Sequence, residues 1–388
     1  MDSIPARLQA LPATELSQVA RQALGMPAAE LLEWRIQRLS GGSAEHIGGG
    51  QGVYHIVGSA RAPDGIHAWS AVLKITGGTA SASTVDDTAG EYWKREALLY
   101  QADVLAHLPP GIATPRCYSI TAYADDEYWL WLEDLQESAP AWTLSTYAQV
   151  ARHLGQFNGA YLAGYPLPNF PWLGRGRVRE WLTMIEPMVA QRHEYLELPI
   201  AKQWLRDETI DRMLRLWNHR QTLLDAFERL PQCFCHHDAF RRNLFVRQGR
   251  NNELMTVAID WATAGLGRVG EEAGMSTANN LFWLEVPIEQ AGALDHATFT
   301  AYVTGLREAG WPGDPQLARL GYTVNAAMTI GLALPFFALS MLQTPDGATV
   351  VEQIWGHPLD ALVKAWAQVQ PFLLGLGEEA LQLVQSNA

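Results

Sequence analysis

The sequence predicts an α+β chain in two lobes, a small antiparallel-sheet lobe with one helix followed by a larger, mainly helical lobe. Three observations predict it. Short β-branched and aromatic runs, separated by Gly, Ser, Pro and Asp turn chemistry, crowd into the first third. Apolar residues at helical spacing fill most of the remainder. A single small cluster of strand-like runs interrupts them, between Pro231 and Trp261. Strands first and helices after separate two packing units, with residues 1–134 as the first lobe and 135–388 as the second.

In order along the chain, residues 14–25 open on Thr14 as a candidate N-cap. They set Leu16, Val19, Ala20, Ala23 and Leu24 at helical intervals and stop at Gly25. Residues 34–39, 53–57 and 71–75 read as an antiparallel meander. A helix is predicted from the candidate cap Asp87 to Leu108, where Pro109-Pro110-Gly111 ends it. Residues 115–120 and 127–133 resume the sheet, and Trp129 and Trp131 read as core on one strand face. Helices are predicted over 147–162, 180–193, 201–230 and from 299 onward. The apolar run 326–342, interrupted by Gly331 and Pro335, reads as a buried helix pair rather than a membrane span.

Composition narrows the partners. With 28 basic and 41 acidic residues the formal charge is −13, which disfavours a non-specific grip on nucleic acid or an anionic membrane and suits a cationic or neutral substrate. Neither a nucleic-acid nor a membrane partner is expected. Cys117, Cys233 and Cys235 lack disulfide spacing, and the N-terminus lacks a basic then apolar leader, so a reducing, cytoplasmic location is expected. Cys233 and Cys235 stand beside His236 and His237, but four residues within five consecutive positions do not enclose a tetrahedral metal. The two cysteines read instead as small core fillers.

The densest polar cluster is His236-His237-Asp238-Ala239-Phe240-Arg241-Arg242-Asn243, followed by an apolar strand and Ile259-Asp260-Trp261. Two carboxylates and an amide are hard oxygen groups, suited to Mg²⁺ plus one base rather than to Zn²⁺. In these residues the chain resembles the aminoglycoside phosphotransferase and choline kinase-like family, whose motif is His-Gly-Asp-x4-Asn followed by Ile-Asp-Trp or Ile-Asp-Phe.

The resemblance implies a protein kinase-like fold and an ATP- or GTP-dependent, Mg²⁺-assisted transfer of phosphoryl to a hydroxyl. It implies Asp238 as the base, and Asn243 and Asp260 as the groups on Mg²⁺. Lys74 would meet the nucleotide phosphates, oriented by Glu96 or alternatively Glu91. Gly50 and Gly52 would belong to the loop covering those phosphates, and the main chain near Glu133 and Leu135 would read the base edge. Such roles match a reaction dominated by alignment and charge neutralisation.

The implied acceptor is a small molecule, cationic or polyhydroxyl, with an aminoglycoside-like or other amine-bearing compound favoured. A choline or sugar-type metabolite kinase, a peptide Ser/Thr-modifying phosphotransferase and a catalytically silent nucleotide-binding module are the alternatives. The chain departs from the family motif in three places. His237 replaces the glycine before the base and would crowd or contact the acceptor. Glu271 and Glu272 only approximate a downstream aspartate. Arg241-Arg242 adds positive charge to the loop, to be used on the phosphoryl group or spent in ion pairs with acids of the second lobe.

Overall fold

The computed structural model describes residues 4–9, 11–39, 50–77, 92–123, 127–137, 141–249 and 254–386. Its first compact unit comprises Met1–Val85, Ala97–Ala102 and Pro115–Gln136. A five-stranded antiparallel sheet builds this unit, from β1 (Glu30–Leu39), β2 (Gly50–Ala62), β3 (Gly65–Gly77), β5 (Cys117–Ala122) and β6 (Glu127–Glu133) in the order β1-β2-β3-β6-β5. The two residues of β4 (Ile112–Ala113) join the second unit.

Alternation along these strands sorts the two sheet faces. Tyr54 and Ile56 on β2, Trp69, Ala71, Leu73 and Ile75 on β3, and Trp129 and Trp131 on β6 form one buried face. The helix Ala13–Leu24 lays Leu16, Val19 and Ala20 on it, and Trp131 Nε1 donates to Glu15 Oε1 at 2.8 Å. That helix starts after Pro12, not Thr14: the Pro12 carbonyl accepts from the Glu15 and Leu16 amides. Proline serves there because the first turn needs no N–H from it and its φ of −63° is already set. On the other face Val72 packs with Ala97, Leu130 and Leu132. Lys74 shares that face, opposite Val53 of β2 and Leu130 of β6.

The second unit comprises Asp86–Glu96, Asp103–Thr114 and Glu137–Ala388. Two three-stranded sheets lie within it. One runs β4-β10-β9, with β9 (Leu244–Gln248) and β10 (Leu254–Ala258); the other runs β7-β11-β8, with β7 (Gly174–Arg175), β8 (Gln232–Cys235) and β11 (Gly265–Arg268). Helices supply the rest. Leu144–Leu162 and Ala291–Glu308 approach closely because neither Gly155 nor Gly305 carries a side chain. A Cβ at Gly155 would lie 2.1 Å from the Tyr302 carbonyl oxygen, and one at Gly305 would lie 2.0 Å from that of Arg152.

Several expectations are corrected. The helix predicted to run to Leu108 is the short Arg95–Gln101, ended where Asp103 turns left-handed at φ 55°; its predicted start at Asp87 lies outside the described residues. The apolar run is not a pair of helices. Pro315–Leu342 is continuous, and Ala326–Ala333 within it is a π-helix. Wider i→i+5 pairing brings the chain to Pro335, which lacks an N–H to donate, without breaking the helix. An 18-residue window of this segment has a mean hydropathy of 1.6, and 83% of that window is buried inside the protein, as a core helix is.

Candidate active site

Strand β8 leads into the loop that holds the candidate base, Asp238. Cys233 and Cys235 are fully buried, as small fillers on a strand between larger neighbours. After Cys235 the chain turns sharply, because His237 adopts φ 64°. Asp238 follows, and the short 3₁₀ turn Arg241–Asn243 brings Asn243 back against it. The Asn243 amide nitrogen donates to Asp238 Oδ2 at 2.7 Å and to the Asp238 carbonyl at 3.0 Å. With its nitrogen so committed, Asn243 offers a cation its amide oxygen.

Strand β10 pairs with β9 through Ala258↔Leu244 and Val257↔Phe245, and the Ile259 amide donates to the Asn243 carbonyl at 2.9 Å. Asp260 follows in a left-handed conformation, φ 61° and ψ 65°, a conformation Asp tolerates better than most residues. His236 links the two segments. Its Nε2 donates to the Ile259 carbonyl at 2.8 Å and its Nδ1 accepts from the Asp238 amide at 3.2 Å, an assignment that requires the neutral Nε2–H tautomer.

Burial pushes the Asp238 carboxyl up to about 8, the negative charge of Asp260 adds to the rise, and Arg177 and the Asn243 hydrogen bond oppose it. The carboxyl is still partly open to solvent, where the hydroxyl of a bound acceptor could reach it. The neighbouring Asp260 makes the site electron-rich. Among the described residues, no group of three or more His, Cys, Asp or Glu side chains is arranged to hold a metal unaided. One carboxylate and one amide oxygen fit Mg²⁺, which keeps several waters and takes phosphate oxygens as its remaining ligands.

Sequence reasoning missed most of the scaffold beneath this loop. Glu272 is 1% exposed and accepts from the His236 and His237 amides at 2.8 and 3.0 Å. Glu271 accepts from the Arg268 amide at 2.7 Å and faces the His237 ring. Arg95, fully buried, donates to the Trp172 and Ala262 carbonyls at 3.0 and 2.9 Å. Glu96 beside it accepts from the Trp261 amide at 3.3 Å, so this predicted residue sits against the Asp260 segment. Nothing in residue type separates a buried acid or arginine of this kind from a surface one; only the Glu271-Glu272 pair stood out, by its place after Ile-Asp-Trp.

Two of the three departures resolve. The Arg241 and Arg242 charges are matched by Glu137 at 3.1 Å and Glu285 at 2.7 Å, while their guanidinium groups lie over the rings of Trp142 and Trp283. The His237 ring, which the sequence would set against an acceptor, is 3% exposed and turned toward Glu271. The acids Glu186, Glu194, Glu197, Asp207, Glu208 and Asp211 are exposed, as a solvated helix face is.

The remaining predicted residues belong to the first unit. Gly50 and Gly52 lie at the start of β2, with a bulge between them and Gly52 at φ 136°; Val53, next along, opposes Lys74. The rest of the glycine loop, 40–49, lies outside the described residues, as does Glu91. The Glu133 amide donates to the Arg116 carbonyl at 2.8 Å; Leu135 lies two residues beyond, past the strand end. On the face of Lys74, His55 Nε2 pairs with Asp134 Oδ2 at 2.9 Å.

Residues 64–312 match the sequence profile of the phosphotransferase enzyme family APH. No curated protein matches the chain in sequence. Solved structures similar to it include the amicoumacin kinase hAmiN in complex with AMP-PNP, Ca²⁺ and Ami, at 13% identity and TM-score 0.48 over 90% of this chain and 97% of that one. The Plasmodium vivax ethanolamine kinase aligns at 9% identity and TM-score 0.49 over 87% and 82%. The aminoglycoside phosphotransferase APH(3'')-Id of Streptomyces rimosus aligns at 15% and 0.42 over 82% and 99%. With well over half its length matched to the family, and with one antiparallel-sheet unit and one mainly helical unit, the chain belongs to the phosphotransferase enzyme family and has the protein kinase-like fold.

Proposed function

We propose that this phosphotransferase moves the terminal phosphoryl group of ATP or GTP to a hydroxyl of a small, amine-bearing acceptor such as an aminoglycoside-like compound. Asp238 takes the hydroxyl proton as the acceptor oxygen bonds to phosphorus. The bond from phosphorus to the bridging oxygen breaks, and the nucleoside diphosphate leaves with that electron pair. Asn243 and Asp260 would hold Mg²⁺, which when bound neutralises phosphate charge. Lys74 would supply the ammonium for the phosphates, with Gly50 and Gly52 in the loop over them and the main chain near Glu133 and Leu135 at the base. A cytoplasmic setting fits cysteines that lack disulfide spacing.

The observation that carries the reading is geometric: the Asn243 amide donates to Asp238 Oδ2 at 2.7 Å, which sets the candidate base directly beside a candidate metal-holding amide. The acidic total of −13 supports an amine-bearing acceptor, as does the matching of Arg241 and Arg242 by Glu137 and Glu285. The test is nucleotide consumption with a panel of aminoglycosides, choline, sugars and Ser/Thr peptides. Asp238→Ala should lower kcat for the phosphorylated acceptor about 10²- to 10⁴-fold, the range for a lost general base, while nucleotide still binds. Wild-type turnover in that variant would assign the base elsewhere.

A further inference from the structure

Asp238 is aimed by a turn that costs energy. His237 holds φ 64°, a left-handed conformation that a Cβ disfavours and that is free to glycine. The chain nonetheless carries histidine there, with its ring 3% exposed. Two neighbours account for the seat. His237 Nδ1 lies 3.2 Å from Glu271 Oε1. Glu271 is itself fixed by the Arg268 amide at 2.7 Å, on β11. Gly267, paired with Cys233 in the same small sheet, has no side chain to fill the space: a Cβ there would come within 2.9 Å of His237 Cε1 and 2.7 Å of Glu271 Oε2.

The adjacent acids divide the work, Glu272 taking the two amides of the turn and Glu271 the ring. We infer that His237 is a positioning residue for the base: its imidazole, lodged between Gly267 and Glu271, locks the left-handed turn and thereby sets the direction of the Asp238 carboxylate. The inference rests on the phosphotransferase reading above. Charge favours the same arrangement. Burial alone would lower the His237 pKa, but Glu271 and Glu272 outweigh it and hold it above the ordinary value, so the ring is readily cationic.

His237→Gly separates the ring from the turn, since glycine accepts the same φ without strain. Glu271→Gln keeps the shape of the ring's partner and removes its charge. In the full-length protein without substrate, amide exchange over residues 236–243 should quicken about tenfold in either variant, while β2 and β3 exchange as before. With ATP and the acceptor identified from the panel, kcat should fall about 10- to 100-fold, as a misdirected base predicts, with KM for ATP unchanged. His237→Gly combined with Glu271→Gln should be no slower than His237→Gly alone, because the two act as one unit.

Wild-type exchange and wild-type kcat in His237→Gly would overturn the proposal, showing that the turn alone aims the base. Should that variant fail to fold, Glu271→Gln decides by the same two readouts. Exchange is read without substrate, so a panel in which nothing is phosphorylated counts against the function, and the exchange rates alone then decide the role of His237.

Discussion

His153 is 8% exposed on the Leu144–Leu162 helix, and the two atoms facing its ring fix its charge. Gln149 Nε2 donates to its Nε2 at 2.8 Å, and its Nδ1–H donates to Thr256 Oγ1 at 2.8 Å. Only neutral imidazole satisfies both. Burial lowers its pKa to about 4, with Arg152 acting the same way and Glu308 opposing. Between about 6.5 and 4 the unfolded chain binds a proton here that the folded chain refuses, so stability falls as pH falls through that window and is unaffected above it. At about 1.4 kcal/mol per unit the loss by pH 4.5 approaches roughly 2–3 kcal/mol. His153→Gln should therefore lose less stability than wild type between pH 7 and pH 4.5, read from urea midpoints; identical losses would refute it. At this scale the sequence showed chemistry but not burial. Asp238, Asn243 and Asp260 stood out as a polar cluster around an apolar strand that resembles a family motif, and the structure brings Asn243 onto Asp238 at 2.7 Å. Glu272, Arg95 and His153 did not stand out, because their roles come from neighbours far away in sequence.

Between elements, backbone approach does the work that side-chain type hides. Leu144–Leu162 carries His153 and Asn158, whose amide donates to the Phe234 carbonyl of β8 at 3.0 Å, and so braces the strand that leads into the Asp238 loop. Its crossing with Ala291–Glu308 depends on Gly155 and Gly305. In an exposed helix interior, Gly→Ala stabilises by about 1 kcal/mol through propensity. Gly305→Ala should do the reverse, since its Cβ would lie 2.0 Å from the Arg152 carbonyl oxygen and 2.8 Å from the Gln156 nitrogen. Net destabilisation of roughly 1–3 kcal/mol is expected, as for other overpacked sites; a gain in denaturant midpoint would disprove the close crossing. Strands β6 and β8 were readable because their faces alternate or cluster apolar residues. Strand β11 was not, since Gly-Leu-Gly-Arg has neither β-branched nor aromatic residues, and its pairing with β8 supplies what local propensity lacks.

For the whole molecule, the order of strands and helices made the fold class legible, whereas the allocation of short segments did not: Asp103–Thr114 belongs with the helical unit because β4 pairs with β10, a parallel contact between segments far apart in sequence. A ligand test at this scale follows from mass action. Mg²⁺–ATP at a hundredfold its Kd adds about 2.7 kcal/mol to the folded state. A chain of 388 residues unfolding in one step, at about 2.1 cal/mol/K per residue, then melts about 3 °C higher. Asp260→Asn keeps the left-handed backbone, which Asn also tolerates, and removes the charge that a cation requires. Its shift with Mg²⁺–ATP should fall below about 1 °C, while its melting temperature without ligand stays within a few degrees of wild type. An undiminished shift would place the metal on other residues, and with it the role assigned to Asn243. A lost shift with Mg²⁺–ATP, but a retained one with ATP and EDTA, would locate the defect at the cation rather than at the nucleotide.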